Sequence, residues 1–462
     1  MLPLPMSKNE LPPSRRGWFY PFTRRWLLTA TVWSIVVLVA ASWLLYRPTV
    51  ESLEQHWKAQ AGFDPLIAYP KREINDAARR IEELVAPLGI EIAPQGVAGR
   101  ARVSKQQAAK LREVREELDS FLRGLRQTEP VLSPPPPGLE TFLTESEPTL
   151  MEVSRQLREG EVPLWDQDVN AGIRKVLPNF LGHLWLQKFL VAMTAEAARR
   201  GEREQSLEWL EASWRLSQSL GGDPAMIPQL IFLAEMRANL AVLRAIDLPL
   251  GDWHHRLSIG PWCKGMEAAF RLESWSFIRG LRLGQFEEDS NGGVISNLLI
   301  RLRTRHGAKG LMDLNDRLFE RVKSENILEM DYDGVFEEEE AKIPRWNILA
   351  RMFVPNYFDA LAKPARLALS TDLTRRILEM RSLLRAGDLE AIADLQGSHP
   401  SVRKGVSWVY QIEGDKITIR VDGHVPDLVD KKIGKPLPVE ISLSRSSDLV
   451  EADGVSAPDL AR

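Results

Sequence analysis

The chain has 462 residues, 44% of them hydrophobic and 27% charged, which gives length for two or three domains and excludes disorder as the default state. The formal net charge of −3 conceals an asymmetry: residues 1–25 hold Lys8, Arg15, Arg16, Arg24 and Arg25 against Glu10 alone, so that segment is +4 and the remainder −7. A mildly acidic body lacks the basic face of a nucleic-acid binder, and the single cysteine, Cys263, rules out an intramolecular disulfide.

From Trp26 to Tyr46 run 21 residues without charge, Gly or Pro. At about 1.5 Å of rise per residue this is about 31 Å of helix, matching a bilayer core of about 30 Å. Arg24 and Arg25 close a basic flank, and Trp26, Trp43 and Tyr46 stand where amphipathic rings prefer the headgroup level. "TRRWLL" resembles the twin-arginine export pattern and Ala40 to Ser42 offers small residues for cleavage, but the apolar run continues past that point to Tyr46. The expectation is an uncleaved anchor spanning 26–46 in a cytoplasmic-type (inner) membrane. Residues 1–25 form a basic tail inside, and residue 47 onward lies in the periplasm or outside.

Residues 47–130 read as a membrane-proximal helical region. Val50 to Gln60 forms a short polar helix, and Ile74, Ala77, Ala78, Ile81, Leu84 and Val85 make one apolar face over 71–86. A further helix opens at Ser104, with Leu111, Val114, Leu118, Phe121 and Leu125 at heptad spacing. That seam suits a helix pair or a short coiled coil, and a homo-oligomer through 104–127 is one way to satisfy it. The prolines within 131–138 cannot enter a helix interior or a central strand and predict a stiff connector.

Residues 139–400 read as an all-α domain, with helices expected at 139–158, 177–200, 203–220, 224–246, 262–285, 311–324 and from Tyr357 onward. The Gly201 and Gly387 turns resemble those of tetratricopeptide-type hairpins, which implies helical-hairpin packing, although no 34-residue period is present. Asp331 to Lys342 reads as an acidic loop. In residues 401–445 the period becomes two: Val406 to Ile412 and Lys416 to Val421 form a hairpin around Glu413-Gly414-Asp415, and Leu437 to Ser444 offers a third strand. Residues 446–462 form a tail. The fold class expected is mainly α: an N-terminal transmembrane helix, a helical-hairpin (TPR-like) body, and a small C-terminal antiparallel β-hairpin or three-stranded meander.

No zincin, P-loop, nucleophile-elbow or dinucleotide motif occurs, and no cofactor is implied. Asp331, Asp333 and Glu337 supply carboxylates for a hard cation such as Ca²⁺ but match an EF-hand loop only in part. "RLESWSF" followed by "HGAKGLMDLND" resembles the lytic transglycosylases that cleave cell-wall glycan. In that family a Glu-Ser pair on a helix precedes Gly-Ala-x-Gly-Leu-Met-Gln. The resemblance implies Glu273 as acid/base beside Ser274, with Gly307 to Met312 as the second motif; Asp313 replaces the Gln, and the gap is wider than the family's. The expectation is a non-enzymatic interaction or assembly module in the cell envelope, its partners the lipid bilayer and another envelope protein. Cleavage of glycan through Glu273 is the alternative.

Overall fold

Capping residues open the first helices. Thr49 accepts from the Ser52 amide at 3.1 Å and starts α1 (Val50–Ala61), and Asp64 caps the short α2 (Pro65–Ala68). Asn75 accepts from Ala78 N ahead of α3 (Asp76–Val85), and Ser104 with Gln107 forms a reciprocal capping box at α4 (Lys105–Gly124). The computed structural model describes residues 29–34, 36–37, 49–126, 132–174, 177–249, 253–257, 260–285, 294–325, 329–345, 347–414, 416–423, 429–430, 435–436 and 440–444.

Pro137 sits in the first turn of α5 (Pro137–Glu159), where its missing N–H costs nothing. Then follow α6 (Phe180–Arg199), α7 (Arg203–Gly221), α8 (Met226–Ala245), α9 (Trp253–Arg256), α10 (Gly260–Arg282), α11 (Val294–Glu325), α12 (Tyr332–Lys342), α13 (Ile348–Ala386) and α14 (Leu389–Asp394). Helices α5 to α8 and α10 keep the expected bounds to within three residues. Helix α11 starts 17 residues earlier than its apolar pattern suggested. Packing overrides the cost of an interior Gly310, about 1 kcal/mol, because Ala308, Leu311 and Met312 around it are buried.

The main core forms where α6, α7 and α8 pack each against both others, with α5 on α7, α4 on α5 and α6, and α13 on α8. The body is thus mainly helical and centred on this trio, and the finer tetratricopeptide-like arrangement finds no support in it. The α4 seam of Leu111, Val114, Leu118, Phe121 and Leu125 is buried inside this core. It is occupied by α5 and α6 of the same chain rather than by a second copy. Across the proline run the core is continuous: Leu118 and Leu139 share it, and Leu139 N donates to Glu117 Oε2 at 2.6 Å.

The C-terminal sheet has four antiparallel strands in the order β1 (Gly397–Pro400), β2 (Ser407–Glu413), β3 (Lys416–Asp422) and, beyond β4 (Val429–Asp430) and β5 (Lys435–Pro436), β6 (Glu440–Ser444). It has one strand more than the meander expected; β4 and β5 pair separately. Trp408, Tyr410, Ile417, Ile419, Ile441 and Leu443 bury against Leu369, Leu373, Ile377 and Met380 of α13. The buried Asp372 on α13 accepts from Trp408 Nε1 at 2.8 Å and so fastens helix to sheet.

The acidic loop is instead helix α12. Asp331 caps it by accepting from Gly334 N, and the Glu run is neutralised from other elements, Glu338 by Arg321, Glu339 by Arg317 and Glu340 by Arg351, with Lys342 of the same helix also pairing with Glu339. At the N-terminus, residues 29–34 and 36–37 are helical and expose Val32, Trp33, Val36 and Val37 to between 51% and 65%. Arg24, Arg25, Trp26, Trp43 and Tyr46 lie outside the described residues. Among the described residues, the one helix long and apolar enough to cross a membrane is α8, and it is mostly buried in the core.

A polar seam runs through the α6–α7–α8 trio. His183 and Gln187 of α6 face Glu235 and Asn239 of α8, with Ser213 and Ser217 of α7 completing the bonds, all six at 0% exposure. Removing one partner of a buried pair leaves the other desolvated, whereas replacing both with apolar groups of similar shape restores packing. Glu235→Leu is therefore expected to destabilise the protein by about 3–5 kcal/mol, and adding His183→Phe to recover much of that loss, as read by chemical denaturation. Additive losses in the double variant would contradict the coupling.

Candidate functional site

A constellation of charged and aromatic groups surrounds a cavity where α1 docks onto α10 and α11. Trp57 on α1 donates from Nε1 to the Arg271 carbonyl at 3.0 Å, and its ring lies 5.2 Å from that of Trp275. Arg271 returns the contact by donating to the Ala61 carbonyl at 2.9 Å, with its guanidinium 3.5 Å from the centre of the Phe319 ring. These exchanges hold open a cleft lined by Trp57, Gln60, Glu267, Arg271, Asp316 and Glu320, with Ser274 and Asn315 at its floor. Asn315 Nδ2 donates both to the Phe270 carbonyl, at 3.1 Å, and to Ser274 Oγ, which locks the floor.

Burial sets the electrostatics. It pushes the Glu267 carboxyl up, against the opposing pull of Arg271 and Lys264. Burial also pushes Asp316 up, opposed by the bond to His56, whose Nε2 stands 3.4 Å away. Arg271 is lowered by the same desolvation, with Glu267, Asp316 and Glu320 acting the other way. The cleft thus concentrates carboxyls held toward their neutral, donating form beside one guanidinium. Its cavity of about 40 Å³ has room for about three water molecules. That admits the tip of a polar side chain.

Of the residues the sequence singled out, Ser274 enters the cleft and Glu273 does not. Glu273 is half-buried on α10, and its negative charge adds to burial in holding the Tyr357 phenol well above its usual range. The Gly307 to Met312 stretch lies inside α11, with Ala308 and Met312 packed on α1 and α10. Asp331 is spent as a helix cap and Glu337 is exposed on α12. Among the described residues no three His, Cys, Asp or Glu side chains gather as a metal site. The pairing of His56 with Asp316 links residues 260 positions apart and had no local signal, whereas Glu267 and Arg271 stand one helical turn apart and were legible as such.

A second arrangement imitates a catalytic triad. Ser219 Oγ lies 3.4 Å from His183 Nε2, and His183 Nδ1 lies 2.6 Å from Glu235 Oε1. Ser219 spends its own proton on the Leu216 carbonyl at 2.6 Å and accepts from Trp165 Nε1 at 3.2 Å. Ser219 therefore has no proton left to give His183 Nε2, so the pair is not arranged for general-base activation of the serine. With all three groups buried, this is part of the structural seam.

No protein-family model, curated protein or solved structure matches the chain.

A carboxyl raised by burial favours the fold while protonated, below its unfolded pKa, and that stability is lost as pH rises through the folded pKa. Glu267→Gln removes this loss. The variant is expected to melt higher than the parent at pH 7, with the gain shrinking toward pH 4; a gain independent of pH, or none at pH 7, would contradict the assignment.

Proposed function

We propose that the protein is a single-pass, membrane-anchored helical module of the cell envelope. Its basic tail is cytoplasmic, its body lies in the periplasm or outside, and it works by engaging another envelope protein. The observation that carries this reading is the pairing of two surfaces. Residues 29–34 and 36–37 lie within an uncharged 21-residue run and expose Val32, Trp33, Val36 and Val37 on consecutive turns, whereas the described body buries most of its large apolar residues in three clusters and exposes others, such as Ile67, Leu181 and Leu389, at scattered positions. Lipid is the solvent that suits the first surface, and water the second.

The cleft beside α1 is the favoured contact point for a partner. Its walls are aromatic, its charges are partly desolvated, and its volume suits one inserted side chain. The alternative, glycan cleavage through Glu273, draws support from the packing of α10 on α11, which brings the two resembling motifs onto neighbouring helices. The position of Glu273 outside the cleft favours the binding reading.

Three measurements separate these readings. A reporter active only outside the cytoplasm, fused after Arg462, is expected to be active; activity of a cytoplasm-only reporter there would invert the topology. With a photo-reactive residue in place of Gln60 at the cleft mouth, one discrete adduct with an envelope protein is expected in cells, and the absence of any adduct would remove the interaction reading. On a peptidoglycan zymogram the purified protein is expected to leave no clearing; clearing that Glu273→Gln abolishes would install the enzyme instead.

A further inference from the structure

The C-terminal end of α8 gathers more positive charge than the acids around it balance. Arg244, in the last turn of α8, is 4% exposed. Its guanidinium donates to Ser370 Oγ at 3.0 Å, to the Ser370 carbonyl at 3.4 Å and to Thr374 Oγ1 at 2.8 Å, all neutral acceptors on α13. Burial, with the charges of Arg126 and Arg237 adding to it, pushes its pKa down to about 9, and among the described residues no carboxylate acts the other way. The carbonyls at the helix end, which favour a cation, are already engaged: Arg381 donates to those of Leu243, Arg244 and Ile246. Asp247 just beyond them pairs with Arg381 and Arg385. A buried charge is ordinarily paired, because water no longer solvates it. Arg244 has no such partner.

The same field reaches a hollow in the surface. Arg126, two residues past the end of α4, lines an open depression of about 430 Å³ together with Glu116, Asp119, Leu122, Arg123 and Lys188. Lys188 Nζ stands 2.8 Å from Asp119 Oδ1, so those two charges cancel. Arg123 donates from Nε to the Asp119 carbonyl at 3.2 Å, again a neutral acceptor. Arg126, solvent-accessible as a whole, is crowded enough that desolvation lowers its guanidinium, with Asp119 acting the other way. Three guanidinia, those of Arg123, Arg126 and Arg244, thus face one uncancelled acid, Glu116, and leave an excess of two positive charges.

We propose that this depression binds a phosphate-type dianion, held by the Arg123 and Arg126 guanidinia and drawn in by the charge of Arg244. Planar guanidinium forks match the oxygens of a phosphate group, and a dianion cancels the excess. The volume admits a phosphate monoester with a small organic remainder. A free ester and a phospholipid headgroup share this chemistry. The depression has no residue in common with the cleft beside α1, and its occupancy does not depend on the anchor.

The test titrates the full chain in detergent with inorganic phosphate and, separately, with glycerol phosphate, while sodium chloride keeps the ionic strength constant; melting and binding heat are recorded. Saturable binding with a rise in melting temperature is expected. Arg123→Gln with Arg126→Gln, both at solvent-accessible positions, is expected to weaken binding by about tenfold or more, as loss of charge-assisted hydrogen bonds does. Glu116→Gln, which removes the opposing acid, is expected to tighten it. Absence of a phosphate-specific effect, equal affinity in the double arginine variant, or no gain in Glu116→Gln overturns the proposal. Nanodiscs then separate the sources: a glycerol phosphate effect present in phosphatidylcholine discs and abolished by phosphatidic acid identifies a lipid headgroup as occupant, and an effect that survives phosphatidic acid identifies the free ester.

Discussion

The docking of α1 onto α10 is the contact on which the functional geometry depends. Trp57 lies under Trp275 and bonds to the Arg271 backbone, while Glu54, 11% exposed in its side chain, is held between Arg279 and Arg282. An aromatic pair of this kind adds about 0.5–1.5 kcal/mol beyond the area it buries. Undocking would also break the ion pairs of Glu54 with Arg279 and Arg282. Since α1 begins four residues beyond Tyr46, this contact fixes how the chain enters the body, and it would make an oriented mount of the proposed anchor. It also supplies one wall of the cleft, so the site exists only while α1 is docked.

The rest of the body provides a rigid seat for that mount. Helix α10 packs on α8, and α8 belongs to the trio whose polar seam admits one register. A slip of one turn along α6 would pull His183 and Gln187 off Glu235 and Asn239 and leave buried polar groups without partners, at about 1–3 kcal/mol each. The seam makes the packing of apolar helices specific, as buried polar groups do where they set register. The sheet is fastened to the far end of α13 through Asp372, away from the cleft.

How much of this was legible in the sequence depends on how local its cause is. Ser104, Asn75 and Pro137 act within one turn, and the helices they open fell where periodicity placed them. Helix α12 was misread as a loop because the groups that neutralise its Glu run, Arg317, Arg321 and Arg351, come from α11 and α13. Strand β1 was missed because Gly-Ser-His-Pro has poor strand propensity and forms only through its pairing with β2. In the candidate site, the heptad seam of α4 and the motif around Glu273 drew attention by pattern, yet the former is spent in the core and the latter faces Tyr357. The groups that line the cleft converge from α1, α10 and α11, and no spacing rule joins His56 to Asp316.

The central claim is that α1 is locked to the body through α10 and α11. Amide hydrogen exchange on the full-length protein in lipid nanodiscs measures this directly. The account predicts that amides of Val50–Ala61 exchange as slowly as those of α10 and that Trp57→Ala accelerates exchange in α1 while leaving the α6–α8 trio protected. Rapid exchange throughout α1 in the parent protein, as in an unanchored linker, would contradict it.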